Sequence, residues 1–173
     1  MTGEATPNHL LLSCDDIPAD DASWKMAPPL GSREDVAAIR AGVKDGTLGL
    51  FATDHAPHPA ARKRGGFRAA ANGIVGLETA AAITWQAMVV QEGMSPADWI
   101  ARWTTGPAAL LGETPAPAET NFTVLDLQAN RTVDPAAFKT KSRNQPFAGM
   151  RFAAWPVLTV CNGKVTHDEL FGL

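Results

Sequence analysis

Up to about residue 113, short apolar runs alternate with stretches whose apolar residues recur at helical spacing, the pattern of βα units on a parallel sheet. HLLLS (His9 to Ser13) predicts a short buried strand, followed by an acidic loop and the stiff segment WKMAPPL. Ser32 with Asp35 three residues on has the form of a capping box, and Val36, Ile39, Ala41 and Val43 continue it as a helix that ends at Asp45-Gly46. LGLFAT (Leu48 to Thr53) is apolar at nearly every position and predicts a strand covered on both faces, with Asp54 at its C-terminal end. GIVGLETAAAITWQAMVVQEG predicts one long helix with Leu77, Ala81, Thr84 and Met88 along one side. Ser95 and Pro96 open the next helix, and Gly106-Pro107 is expected to break it before Ala108 to Leu111.

At TPAPAET (Thr114 to Thr120) the composition changes to that of a connector, and β signals follow. Phe122 to Leu127 alternates, Phe152 to Cys161 is apolar with Pro156 as an interruption, and Asn162-Gly163 predicts a two-residue hairpin turn. Two parts are expected, 1–113 with the βα units and 114–173 with a small β-rich unit.

Composition narrows the partner class. The net charge of -3 and pI near 5.8 leave no basic stripe for nucleic acid or an anionic membrane, which points to a small-molecule ligand. Cys14 and Cys161 lie far apart without C-x-x-C spacing and read as free, mostly buried thiols of a cytoplasmic protein. No apolar stretch reaches membrane-spanning length, and MTGEATPNHLLLSCDD has no signal-peptide pattern, so a soluble chain is expected.

The densest chemistry is FATDHAPHPA (Phe51 to Ala60), an apolar run that stops at an aspartate. In α/β folds ligand chemistry collects at the carboxyl ends of strands, where loops converge on a cleft. Asp54 there can hold a cation or take a proton from a metal-bound water, and His58, stiffened by Pro57, can donate to an anionic substrate or an oxyanion. A turn role for Asp54 and a backbone-bonding role for His55 fit the same spacing. His9 reads as a capping or packing residue and His167 as a surface one. Arg62-Lys63-Arg64 reads as a solvated loop, with a mobile cationic lid as the alternative, while Trp85, Trp99 and Trp103 read as core or interface.

TPNHLLL, KMAPPL, ATDHAPH, NGIVGLETA and KSRNQPFAGM stand in the order found in dihydroorotases of the amidohydrolase superfamily, the class related to hydantoinases and allantoinases, and the chain resembles them from about Ala5 to Lys164. The resemblance implies a zinc hydrolase interconverting carbamoyl-aspartate and dihydroorotate, a step of pyrimidine synthesis. It implies that Asp54 is both metal ligand and proton-transferring base, that His58 touches substrate, and that Asn72 and Gly73 contact it largely through backbone, after a mobile loop at 62–68. The ending APH favours dihydroorotase over hydantoinase and allantoinase. Ala27 and Gly31 depart from the family pattern, which has asparagine and arginine there, and a lost polar contact changes discrimination by about ten- to a hundredfold.

The superfamily's H-x-H pair, bridging group and two further histidines have no counterpart among His9, His55, His58 and His167. A complete barrel takes about 250 residues. The fold class implied is therefore α/β, the C-terminal portion of a (β/α)8 TIM-type barrel of the metal-dependent hydrolase kind, followed by a small β unit. Such a chain alone is expected to be inactive, because one aspartate cannot hold a zinc site that needs three or four ligands. Its partners would be a missing N-terminal half or a second chain, including a homo-oligomer. The alternatives are a non-catalytic dihydroorotase-like partner of aspartate transcarbamoylase and another cyclic-amide hydrolase of the hydantoinase or allantoinase type.

Overall fold

A computed structural model describes residues 2–115 and 117–171. Strand β1 (Glu4–Ala5) lies parallel to β2 (Leu50–Phe51), with Glu4 opposite Leu50 and Ala5 opposite Phe51. Between them run α1 (Pro7–Leu11) and α2 (Arg33–Asp45), a βα crossover of the kind expected from the alternating pattern. The ladder of β2 is shorter than the expected strand at Leu48 to Thr53.

HLLLS is not a strand. Pro7 occupies the first helical turn and the Thr6 hydroxyl accepts the His9 N–H, so the chain turns into a helix immediately after β1 and buries Asn8 and Leu10 on one side. The strand starts five residues earlier than the triple leucine suggests, because consecutive apolar residues carry no period. The Ser32 and Asp35 box, in contrast, is present: the Ser32 hydroxyl accepts from the Asp35 N–H while the Asp35 carboxylate accepts from the Ser32 N–H.

The long helix is also corrected at its start. After the short helix α3 (Gly66–Ala69), residues 72–76 are not helical, and the helix begins with α4 (Ala80–Thr84), continuing as a π-helical turn from Trp85 to Gln91. Leu77 thus lies ahead of the helix and is exposed. The helix α5 (Pro96–Trp103) starts at Ser95, whose hydroxyl accepts the Asp98 N–H. The interruption before α6 (Thr105–Leu111) falls at Thr104, while Pro107 sits in the first turn of α6, where its missing N–H is not needed.

The second part is β-rich, as expected. Strands β3 (Phe122–Asp126), β6 (Trp155–Cys161) and β7 (Lys164–Asp168) form an antiparallel sheet in the order β3-β6-β7, and β4 (Arg131–Thr132) pairs with β5 (Arg151–Phe152). Pro156 pairs with Leu125 at a register shift, where a missing N–H is tolerated. Asn162 and Gly163 both have positive φ, 50° and 73°, and close the β6-β7 hairpin.

Two apolar clusters carry the packing. The first joins Leu10, Val43, Phe51, Met88 and Trp99. There Trp99 meets Trp85 and Trp103 edge-on, and the Thr84 hydroxyl accepts from both the Trp99 and Trp103 indoles at 3.1 and 3.2 Å. The second joins Trp24, Leu30, Ile74 and Ile83 with Val133, Phe147 and Phe152, so residues from both sides of the proline-rich connector share one core. Cys14 and Cys161 are exposed, against the expectation of burial. No helix among the described residues is long and apolar enough to cross a membrane.

Candidate active site

The chain leaves β2 at Phe51 and reaches Asp54 in a left-handed conformation, φ 47°, which aspartate tolerates better than most side chains. The carboxylate is exposed and forms no hydrogen bond or ion pair among the described residues. Immediately after it, His55 bridges to Ile74 in parallel, and the Ala56 N–H donates to the Ile74 carbonyl at 3.0 Å. The segment around Ile74 therefore lies beside ATDHAPH, joined to it by a single parallel bridge. This is the physical reason that the predicted helix starts late.

Both histidines of the motif are fixed by backbone. His55 Nδ1 accepts the N–H groups of Gly76 and Leu77 at 3.3 and 3.1 Å, which places the His55 proton on Nε2 of the neutral ring. His58 Nε2 lies 2.7 Å from the Asn72 carbonyl, an acceptor, so it is the donor and Nδ1 is the free acceptor of the neutral ring. Donation from neutral His58 to an anion, the sequence expectation, is thus closed at Nε2. His9 caps and packs as expected, with Nδ1 against the Thr6 hydroxyl and Nε2 against the Pro28 carbonyl. His167 is tied in more than expected, 3.2 Å from the Pro156 carbonyl and 3.5 Å from Glu169.

Gly73 is required by the close approach of these segments. Its φ is 136°, and an added Cβ would stand 2.7 Å from Ala56 Cβ and 2.9 Å from His58 Nε2. Its N–H donates to the Lys25 carbonyl and its own carbonyl accepts from Lys63 Nζ and Asn144 Nδ2, so its polar groups are already engaged. Asn72 differs: it is exposed, its carbonyl takes the His58 proton, and its side-chain amide has no partner among the described residues.

Residues without a sequence-assigned role hold this arrangement. The His58 N–H donates to Ser142 Oγ and Asn144 Oδ1, the Ser142 hydroxyl donates to the His58 carbonyl, and Asn144 Nδ2 donates to the carbonyls of Ala56 and Gly73. Ser142 and Asn144 are buried, so KSRNQPF acts as the clip between ATDHAPH and NGIVG. Glu78 anchors that clip by accepting the N–H groups of Lys139 and Thr140 at 2.7 and 3.0 Å. Burial would raise the Glu78 carboxyl, but the Thr140 and Lys139 amides, the Thr140 hydroxyl and Arg143 outweigh it and hold it below the ordinary value. Lys63, expected in a solvated loop, is half-buried and donates to the carbonyls of Lys25, Ala71 and Gly73. Burial, with Lys25 nearby, pushes its ammonium below the usual lysine range, and Asp21 partly opposes this. The order of the motifs was the available signal, but spacing gave none of these contacts.

A cleft of about 860 Å³ opens beside the loop, with His55, His58, Lys63, Lys141 and Arg143 among its walls. Its ionisable walls are cationic or histidine, and Asp54 is not one of them. The structure thus brings His58, Asn72 and Gly73 together, while Asp54 stands at the strand end outside that cleft. Ala27 is exposed and brings no polar side chain to the segment beside Gly73. No cluster of three or more His, Cys, Asp or Glu side chains suited to a metal occurs among the described residues.

No family model matches the chain. A dihydroorotase from Brevibacillus brevis is 42% identical over 175 residues, covering 98% of this chain and 41% of the relative. One from Anaeromyxobacter is 45% identical over 179 residues, covering 98% and 40%. Among solved structures, a dihydropyrimidinase from Brevibacillus agri superposes with a TM-score of 0.87 at 22% identity over 96% of this chain and 39% of that one. An L-hydantoinase from Arthrobacter aurescens gives 0.81 at 26%. These spans agree with a C-terminal portion of the amidohydrolase barrel. The chain therefore belongs with the dihydroorotases among the cyclic amidohydrolases, as a homologue spanning about 40% of their length.

Proposed function

We propose that the chain supplies part of the active site of a zinc-dependent cyclic amidohydrolase that interconverts dihydroorotate and carbamoyl-aspartate in pyrimidine biosynthesis, in the cytoplasm. One observation carries the reading: the loop that presents Asp54 is bonded through His58 to Asn72, in a chain 42% identical to a dihydroorotase. The exposed Asp54 carboxylate, free of partners among the described residues, suits a metal ligand and a proton acceptor. Zinc, when bound, would polarise the scissile carbonyl and activate water. Asp54 alone does not make its donor set, so the remaining ligands must come from a further segment or a partner chain.

The other residues act by placement. Asn72 offers its side-chain amide to a polar substrate edge, and Gly73, having no side chain, lets Ala56 and His58 close against this segment. His58 offers Nδ1, as an acceptor when neutral and as a donor when protonated. The short parallel pair β1-β2 leaves edges for further barrel strands, which supports completion by another segment.

The test is to co-express the chain with the part of the Brevibacillus brevis dihydroorotase that it does not match. Zinc-dependent hydrolysis of dihydroorotate by the complex, and by neither piece alone, is expected. Turnover of hydantoin or allantoin in its place would reassign the substrate. A stable complex without turnover would overturn the catalytic reading, and binding to aspartate transcarbamoylase would then favour the structural-partner alternative.

A further inference from the structure

We infer that Lys63 is a positioning residue that fixes the tautomer of His58 through the peptide units around Asn72. Lys63 is half-buried and forms no ion pair among the described residues. A buried cation without a carboxylate is unfavourable unless its three hydrogens are all accepted. Here they are, by the carbonyls of Ala71 at 2.9 Å, Gly73 at 3.0 Å and Lys25 at 3.3 Å.

Ala71 and Gly73 flank Asn72, and the Asn72 carbonyl is the one that His58 Nε2 reaches at 2.7 Å. In a trans peptide the carbonyl and the following N–H point to opposite sides. The Gly73 N–H donates to the Lys25 carbonyl, which Lys63 also holds, so the Asn72 carbonyl of the same peptide is turned to the other side, where His58 stands. The Lys25 carbonyl, the third acceptor, also receives the Gly73 N–H at 2.9 Å, so the same charge secures the register of the segment against Lys25. Lys25 reinforces the path by donating to the carbonyls of Arg68 and Ala70. A carbonyl so aimed accepts but cannot donate. It keeps the His58 proton on Nε2 and leaves Nδ1 as the nitrogen that faces a ligand.

This inference extends the reading of His58 as a substrate contact, yet its test needs no turnover. In the 173-residue chain labelled with 15N and 13C, imidazole nitrogen shifts report the His58 tautomer directly. Wild type should show Nε2 protonated, together with through-hydrogen-bond couplings from Lys63 Nζ to the Ala71 and Gly73 carbonyls. K63M should lower the Nε2–H to Nδ1–H ratio about fivefold, the factor carried by a hydrogen bond of net ~1 kcal/mol, and K63R should restore most of it. The Trp99 indole and the β6-β7 hairpin, remote from Lys63, serve as folding controls. A folded K63M with the wild-type ratio would make Lys63 merely structural and overturn the inference. Should K63M not fold, the wild-type spectrum decides: absent couplings, or a His58 proton on Nδ1, overturn it. Failure of the reconstituted complex to hydrolyse dihydroorotate would count against the proposed function alone.

Discussion

Replacing Gly73 with alanine tests the close approach on which the whole site depends. At φ 136° an alanine leaves the allowed backbone regions, at a cost of about 1–3 kcal/mol. Its Cβ would also stand 2.7 Å from Ala56 Cβ, 2.9 Å from His58 Nε2 and 3.0 Å from the Ala56 carbonyl. Two of these neighbours are held by their own hydrogen bonds, so relief needs backbone movement, which adds about 1–3 kcal/mol as overpacking does. The expected loss is about 2–6 kcal/mol. Gly93, with φ 68° and nothing within 4 Å of an added Cβ, supplies the control, because G93A carries only the left-handed penalty of about 1–2 kcal/mol. Urea unfolding followed by tryptophan fluorescence measures both variants. Equal losses in G73A and G93A would refute the claim that segments 55–58 and 72–75 are packed face to face.

The remaining predictions address the supports of the site. E78Q removes the charge that accepts two backbone N–H groups; because the Glu78 carboxyl is held below its ordinary value, its contribution is complete above the unfolded carboxylate pKa of about 4.3 and fades as pH falls below it. The stability difference between wild type and E78Q, measured by urea unfolding at several pH values, should therefore shrink on acidification, and a difference that grows would contradict the assignment. T84V leaves the indoles of Trp99 and Trp103 without their acceptor and should cost roughly 2–4 kcal/mol, with a lowered midpoint in the same assay. S32A removes the cap of α2 and should cost about 1 kcal/mol, seen as a lower thermal midpoint.

Legibility differed from element to element for physical reasons. Local signals held wherever the side chain completes its own contact within a few residues: the Ser32 and Asp35 box, the Ser95 cap and the Asn162-Gly163 turn stand where the sequence puts them. Contacts distant along the chain were not legible. The non-helical path of residues 72–76 is set by the bridge between His55 and Ile74, and helical spacing in GIVGLETAAA conceals it. Three leucines in a row fit a strand or a buried helix equally, and Pro7 with Thr6 decided for the helix. Within the site, Asp54 could be found because it ends an apolar run. Lys63, Ser142 and Asn144 could not, since each works through backbone groups up to 88 positions away.

The central claim is that Asp54 carries chemistry and not structure, and D54N in the reconstituted complex tests it most directly. Asparagine keeps the left-handed conformation at φ 47° and replaces a carboxylate that has no partner among the described residues, so stability should change by less than about 0.5 kcal/mol. Dihydroorotate hydrolysis should fall by about 10²–10⁴, the range for loss of a positioned proton acceptor. A folded D54N complex that retains wild-type turnover would contradict the account.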